Sequence, residues 1–220
     1  IVGLIGPNGS GKSTTINLVC GLFSATGGTV SFLGKDLKNL SADGRVAEGI
    51  ARTFQNIRLF NELTVWQNLL VSWNDVDSNK SSWSSRWFGN LEGRKNKISD
   101  LLRFSGLEDK ENQLAGNLSF GEQRRLEMAR AIASKPQLIL LDEPAAGMNS
   151  QEISDLGKRI FSLRDSGITI LLVEHVMELV MNVADRIIVL NFGKKIAEGA
   201  PKQIRDNETV QEAYFGSETE

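Results

Sequence analysis

The 220-residue chain has one cysteine, one histidine, one tyrosine and four prolines. A single thiol, Cys20, excludes an intrachain disulfide framework and a cysteine zinc site, and it suits a reducing compartment. Long apolar runs are also missing. The longest, such as 168–173, fall far short of the roughly 18 residues that span a bilayer. No stretch reads as a secretion signal, so any work at a membrane is expected to go through partners. Nor is there a basic excess. Twenty-five Lys and Arg against 27 Asp and Glu leave a formal charge of −2, which cannot neutralise a phosphate backbone and sets nucleic acid aside as a partner. What remains is ordinary for a folded chain: 40% hydrophobic and 24% charged residues, enough for one α/β domain carrying a smaller lobe.

Short β-rich runs alternate with helical patterns at both ends of the sequence. Residues 1–5 precede a helical stretch at 12–20, 137–141 precede 151–163, 168–173 precede 176–183, and a further strand is expected at 186–190. Near-continuous apolar strands in such alternation predict a parallel sheet covered by helices. Gly21 and Gly167 read as helix stops. Phe192-Gly193 followed by 194–197 reads as a hairpin. From about 61 to 134 the pattern is mostly helical, with a capping box at Thr64-Val65-Trp66-Gln67 and another helical stretch at 97–104. Between them 74–96 is rich in Ser, Asn and charge. It reads as a surface excursion whose aromatics Trp83, Trp87 and Phe88 pack locally, or alternatively as a partner contact.

Gly6-Pro7-Asn8-Gly9-Ser10-Gly11-Lys12-Ser13-Thr14 matches the pattern G-x-x-x-x-G-K-[ST], with an apolar strand before it and a helix after it. Glycines let the backbone wrap phosphate oxygens closely, the amides point inward, and the helix adds the positive end of its dipole. Lys12 would bring a full charge to the β and γ phosphates, and Ser13 a hydroxyl to Mg²⁺. The strand 137–141 ends in Asp142-Glu143, at the sheet edge where open α/β folds bind ligands. Asp142 suits Mg²⁺, directly or through water, and Glu143 suits a general base that polarises water toward the γ-phosphate. Leu118-Ser119-Phe120-Gly121-Glu122-Gln123 opens a helix to about Ala133 with an apolar face of Leu126, Ala129, Ile132 and Ala133. Ser119 and Glu122 satisfy the capping-box rule. A serine hydroxyl and a glycine amide at a helix start also form an anion site, and local rules leave the two roles open.

Taken together, these motifs occur in the order and approximate spacing of ATP-binding cassette (ABC) ATPases, and the resemblance covers essentially the whole chain. Leu118–Gln123 is similar to their signature sequence, with Phe120 where glycine is usual. Gln55, closing Ala51-Arg52-Thr53-Phe54-Gln55, is similar to the Q-loop glutamine. His175, after Ile170-Leu171-Leu172-Val173-Glu174, is similar to the switch histidine. The resemblance implies a P-loop NTPase (RecA-like) core at 1–60 and 135–220, with an inserted helical subdomain at 61–134 that grips a membrane subunit. It implies two cassettes meeting head to tail. Each ATP with its Mg²⁺ would lie between the P-loop of one and Ser119, Gly121 and Glu122 of the other, with closure on binding and opening after hydrolysis. Gln55 would couple the γ-phosphate and the metal to the helical lobe, and His175 would hold the γ-phosphate. The loop Ala145-Ala146-Gly147-Met148-Asn149 departs from the Ser-Ala-Leu-Asp of many relatives. The N-terminal strands of the fold, with their adenine-stacking aromatic, are expected to be missing before Ile1.

Finer features resemble the ATPase subunits of branched-chain amino-acid importers: 52–60, Leu63-Thr64-Val65, 143–149, Glu198-Gly199-Ala200-Pro201 and Ala213-Tyr214-Phe215-Gly216. That implies a cytoplasmic-face ATPase working with a like or unlike second ATPase, permease subunits and an external solute-binding protein. Related ATPases serve urea or amide uptake and lipopolysaccharide export. A soluble non-transport ABC protein would be expected to carry tandem cassettes, a coiled-coil insertion or a basic face. An ATP-binding pseudoenzyme would be expected to have lost Lys12, Glu143 or His175.

Overall fold

A computed structural model describes residues 1–72 and 91–215; Trp83, Trp87, Phe88 and Gly216 lie outside them. The chain divides into two units, 1–55 with 137–220, and 56–136.

The first unit is built on strands β1 (Val2–Ile5), β4 (Ile50–Arg52), β5 (Leu138–Asp142), β6 (Thr169–Val173), β7 (Arg186–Asn191) and β8 (Lys194–Gly199), in the order β4-β5-β6-β1-β7-β8. All neighbours are parallel except β7 and β8. The continuous apolar runs follow from this placement, because a strand flanked in a parallel sheet has both faces covered. Ile139, Leu140 and Leu141 are fully buried, as are Ile170, Leu172 and Val173. Helices α1 (Lys12–Val19), α2 (Ala42–Ala47), α6 (Ser150–Asp165), α7 (Met177–Val183), α8 (Pro201–Arg205) and α9 (Glu208–Phe215) complete the unit, with a two-stranded ribbon of β2 (Ser31–Phe32) and β3 (Lys35–Asp36). Leu4, Ile16, Leu37, Ile50, Leu140 and Val173 share one core, drawn from five elements and the residue after β3. Gly21 and Gly167 stop α1 and α6 in left-handed backbone, with φ of 75° and 90°. Phe192 and Gly193, φ 44° and 75°, make the tight turn of the β7–β8 hairpin.

The second unit packs α3 (Val65–Ser72), α4 (Leu91–Ser105) and α5 (Phe120–Ala133) around Leu69, Ile98, Leu107 and Leu126. Both expected capping boxes form. Thr64 N donates to Gln67 Oε1 at 2.8 Å while Gln67 N donates to Thr64 Oγ1 at 3.2 Å. Asn68, fully buried in α3, accepts from Phe60 N and donates to the carbonyls of Phe60 and Thr64, so one amide holds the turn that leads into the helix. No described helix is long and apolar enough to cross a membrane.

Candidate nucleotide site

The turn between β1 and α1 is shaped by crowding. A Cβ at Gly6 would stand 2.1 Å from the Leu190 carbonyl oxygen and 2.6 Å from Ser10 Oγ, so no side chain fits there. Gly193 N donates to Ser10 O at 3.0 Å, tying the loop to the hairpin turn. Gly11 begins α1 at φ 103° and offers no side-chain cap. The first amides of the helix are therefore left to an outside acceptor, which is what an anion site at a helix start requires.

Lys12 is buried, and its amine donates to Gly6 O at 2.8 Å and Pro7 O at 3.1 Å. Burial pulls its pKa down, while the carboxylates of Glu143 and Asp142 push it up. Asn8, Gly9, Gly11, Lys12, Ser13 and Thr14 line a cavity of about 190 Å³ together with Glu143 and His175. Two sequence segments more than a hundred residues away thus arrive at the same loop, because β1 lies beside both β6 and β7, and β5 beside β6.

Glu143 is engaged on both oxygens. Gln55 Nε2 donates to Oε2 at 2.7 Å, and His175 Nε2 lies 3.0 Å from Oε1. Its φ of 48° is a left-handed conformation that a non-glycine residue holds only when its surroundings fix it. One such anchor is the bond from Glu143 N to Val173 O, 2.8 Å, which carries the β5–β6 pairing one residue past the strand. Asp142 takes a different place. It is buried, and its Oδ2 accepts from Arg52 Nη2 at 2.8 Å. Arg52 also donates to Asn17 Oδ1 of α1 at 2.6 Å and stacks its guanidinium 4.9 Å from the Phe54 ring. Arg52 and Asn17 escape a motif reading. In the sequence Arg52 stands within the stretches 51–55 and 52–60, with no chemistry of its own assigned to it. Glu174 also escapes it, and is taken up below.

Ser119, Gly121 and Glu122 belong to the second unit. Ser119 is exposed at the start of α5 and Gly121 is buried in its first turn. Glu122 N donates to Ser119 Oγ at 3.4 Å, and Ser119 N to Glu122 Oε2 at 2.9 Å. The capping role is thus realised within the unit. Lys110 Nζ lies 2.5 Å from the other carboxylate oxygen. Burial raises the Glu122 pKa, but the bonds to Lys110 and Ser119 outweigh it and hold the group below its ordinary value. Phe120, at the position where a glycine was expected, is half exposed, with the Arg124 guanidinium 5.5 Å from its ring.

Residues 1–146 match the family model described as ABC transporter, and 194–220 match that of the branched-chain amino acid ATP-binding cassette transporter. The high-affinity branched-chain amino acid transport ATP-binding protein LivG of Escherichia coli is 42% identical over 98% of this chain and 87% of its own length. Its counterpart BraF of Pseudomonas aeruginosa is 40% identical over the same shares. The lipopolysaccharide export system ATP-binding protein LptB of Haemophilus influenzae is 35% identical, over 99% of this chain and 86% of LptB. Among solved structures, the ADP conformation of an ATP-binding cassette of an ABC transporter superposes with a TM-score of 0.83 at 33% identity, covering 99% of this chain and 88% of the other. A dimeric cassette in a post-hydrolysis state, bound to ADP and Pi, superposes with a TM-score of 0.76 at 28% identity, over 91% and 85%. On these matches, which take in nearly every residue of it, the chain belongs to the ABC transporter family of ATP-binding cassettes.

Proposed function

We propose that this chain is the ATP-hydrolysing subunit of an importer for branched-chain amino acids. The observation that carries the reading is Glu143, held between Gln55 and His175 over the glycine loop of Lys12. The loop amides and Lys12 bind the phosphates. Glu143 takes a proton from the attacking water and Gln55 orients that water. His175 donates to the terminal phosphate. The donors Ser13, Gln55 and Asp142 are all oxygen groups, which fits Mg²⁺, an ion that needs only one or two protein ligands beside phosphate. Mg²⁺, when bound there, would neutralise phosphate charge. Arg52, bonded to Asp142 Oδ2 at 2.8 Å, fixes the direction of that carboxylate.

The second half of each site comes from a partner ATPase, whose own Ser119, Gly121 and Glu122 would face the nucleotide. The dimeric cassette among the structural relatives supports this arrangement. The helical residues 61–134 dock on permease subunits at the cytoplasmic face of the membrane, and an external binding protein supplies the solute. The solute class is supported by the match of 194–220 and by the LivG and BraF relatives. The test is purification from detergent-solubilised membranes with a tag on this chain. Permease subunits should accompany it, and the reconstituted assembly should couple ATP turnover to uptake of leucine, isoleucine or valine. An assembly that hydrolyses ATP but moves none of these would refute the solute. A chain recovered without membrane subunits would refute the transport role.

A further inference from the structure

Glu174 follows β6 and stands immediately before His175. It is 2% exposed, yet among the described residues no lysine or arginine pairs with its carboxylate. Three main-chain amides hold it instead. One oxygen accepts from Ala145 N at 2.7 Å. The other accepts from His175 N at 2.7 Å and Val176 N at 3.0 Å. Ala145 lies two residues after Glu143, on the turn whose strained backbone needs fixing from outside. One buried carboxylate therefore joins the turn that carries Glu143 to the turn that carries His175, two residues whose side chains meet at 3.0 Å.

We propose that Glu174 is a positioning residue for ATP hydrolysis: it locks the 143–148 turn to the 174–176 turn and so sets Glu143 and His175 at their working separation. The proposal rests on the roles given to Glu143 and His175 above. A carboxylate is the group the geometry demands. Two oxygens with four lone-pair directions meet three donors on two loops, and each bond to an ionised acceptor is about twice as strong as a neutral one. Glutamine has the same shape but one acceptor. If its oxygen faces Ala145, its amide N–H₂ meets the amides of 175 and 176, and in the reverse orientation it meets Ala145. Either way one turn is released. The link also reaches the 145–149 loop, so a displacement of that loop by a partner subunit would be felt at His175 without any contact between the loop and the nucleotide.

The test compares the full chain with its Glu174→Gln variant, alone and combined with His175→Ala. Hydrogen exchange should speed up in peptides carrying the 145 amide or the 175 and 176 amides, with the 6–14 loop unchanged. ATP affinity should stay within about twofold while kcat falls about tenfold or more, the scale of a small misplacement of reacting groups. In the His175→Ala background the Gln change should cost less than it does in the wild type, because only the placing of Glu143 is left to lose. Unchanged exchange at both turns overturns the proposal whatever His175 does, and so does an equal loss of kcat in both backgrounds. If His175→Ala itself turns over ATP at the wild-type rate, the role of His175 falls, and faster exchange in E174Q would still establish the tie between the turns. Glu174→Asp, which keeps both oxygens, guards against a folding defect. It should lie above the Gln variant in protection and in kcat, and an Asp variant no better than Gln assigns Glu174 to packing alone.

Discussion

Lys12 rests its amine on two carbonyl oxygens of its own loop, Gly6 O and Pro7 O. Phosphate would replace neutral acceptors with charged ones, a gain of about 1.5–3 kcal/mol for such a bond. Lys12→Ala should therefore weaken ATP binding by about ten- to a hundredfold in a fluorescent-nucleotide titration. Unchanged affinity would deny the phosphate contact. Arg52 makes the opposite kind of prediction, one about stability. Asp142 is buried and Arg52 is the cation that meets its carboxylate at 2.8 Å. Replacing Arg52 by methionine keeps the apolar stem and strands the carboxylate, which costs about 3–5 kcal/mol when a buried pair is broken. At about 2–4 °C per kcal/mol for a chain of this size, the melting temperature should drop by about 10 °C, and Asp142→Asn in the same molecule should recover part of it. A drop of about 2 °C or less would remove Arg52 from that role. The sequence shows Lys12 because its neighbours follow a spacing rule. Arg52 and Asp142 are 90 positions apart, Glu174 and Ala145 are 29 apart, and no spacing rule connects either pair.

Elements were legible where they are long or where a local rule marks their ends. The strands at 2–5, 138–142, 169–173 and 186–191 each fall within a residue or so of the apolar runs, and the boxes at Thr64 and Ser119 form as their residue types require. The three residues of β4 carry no strand signal in the sequence, since a short apolar run has no period of its own, and β2 and β3 have two residues each. α6 begins one residue earlier than expected because Asn149 and Glu152 form a further capping box, with bonds of 2.9 and 3.0 Å. The box at α5 yields a pH prediction. The Glu122 pKa is depressed in the folded chain, so its ionised form is the one that stabilises. That stabilisation is present above the ordinary carboxylate value of about 4.3 and is lost as pH falls through the lower folded value. Glu122→Gln, which loses the Lys110 attraction, should melt below the wild type at pH 7, and the gap should close as the pH drops below about 4. A gap that persists unchanged in acid would show that charge plays no part in this cap.

On the scale of the whole molecule the topology was the least legible feature, because sheet order is a property of pairs. The parallel α/β core follows from alternating apolar strands and helices. That β1 sits between β6 and β7, and that β4 pairs with β5 across the whole second unit, follows from packing that no segment announces. The consequence is functional: residues 8, 9, 11–14, 143 and 175 come to share one cavity. The start of α1, whose residues Lys12, Ser13 and Thr14 line that cavity, has no side-chain cap. If a second cassette completes the site, as proposed above, association should depend on the nucleotide's state. Glu143→Gln tests that dependence with little disturbance, since glutamine keeps the volume and can still bond to Gln55 and His175. Without the base, turnover should fall by about 10²–10⁴, while the phosphate contacts of the loop are untouched. ATP should then hold the variant as a dimer in sedimentation or light scattering, and ADP should leave it monomeric. Adding Ser119→Arg should abolish the ATP-dependent dimer, because the arginine would fill the place where the opposing phosphate group has to sit. A dimer that forms equally with ADP, or that survives the Ser119 change, would mean the cassettes meet through another face.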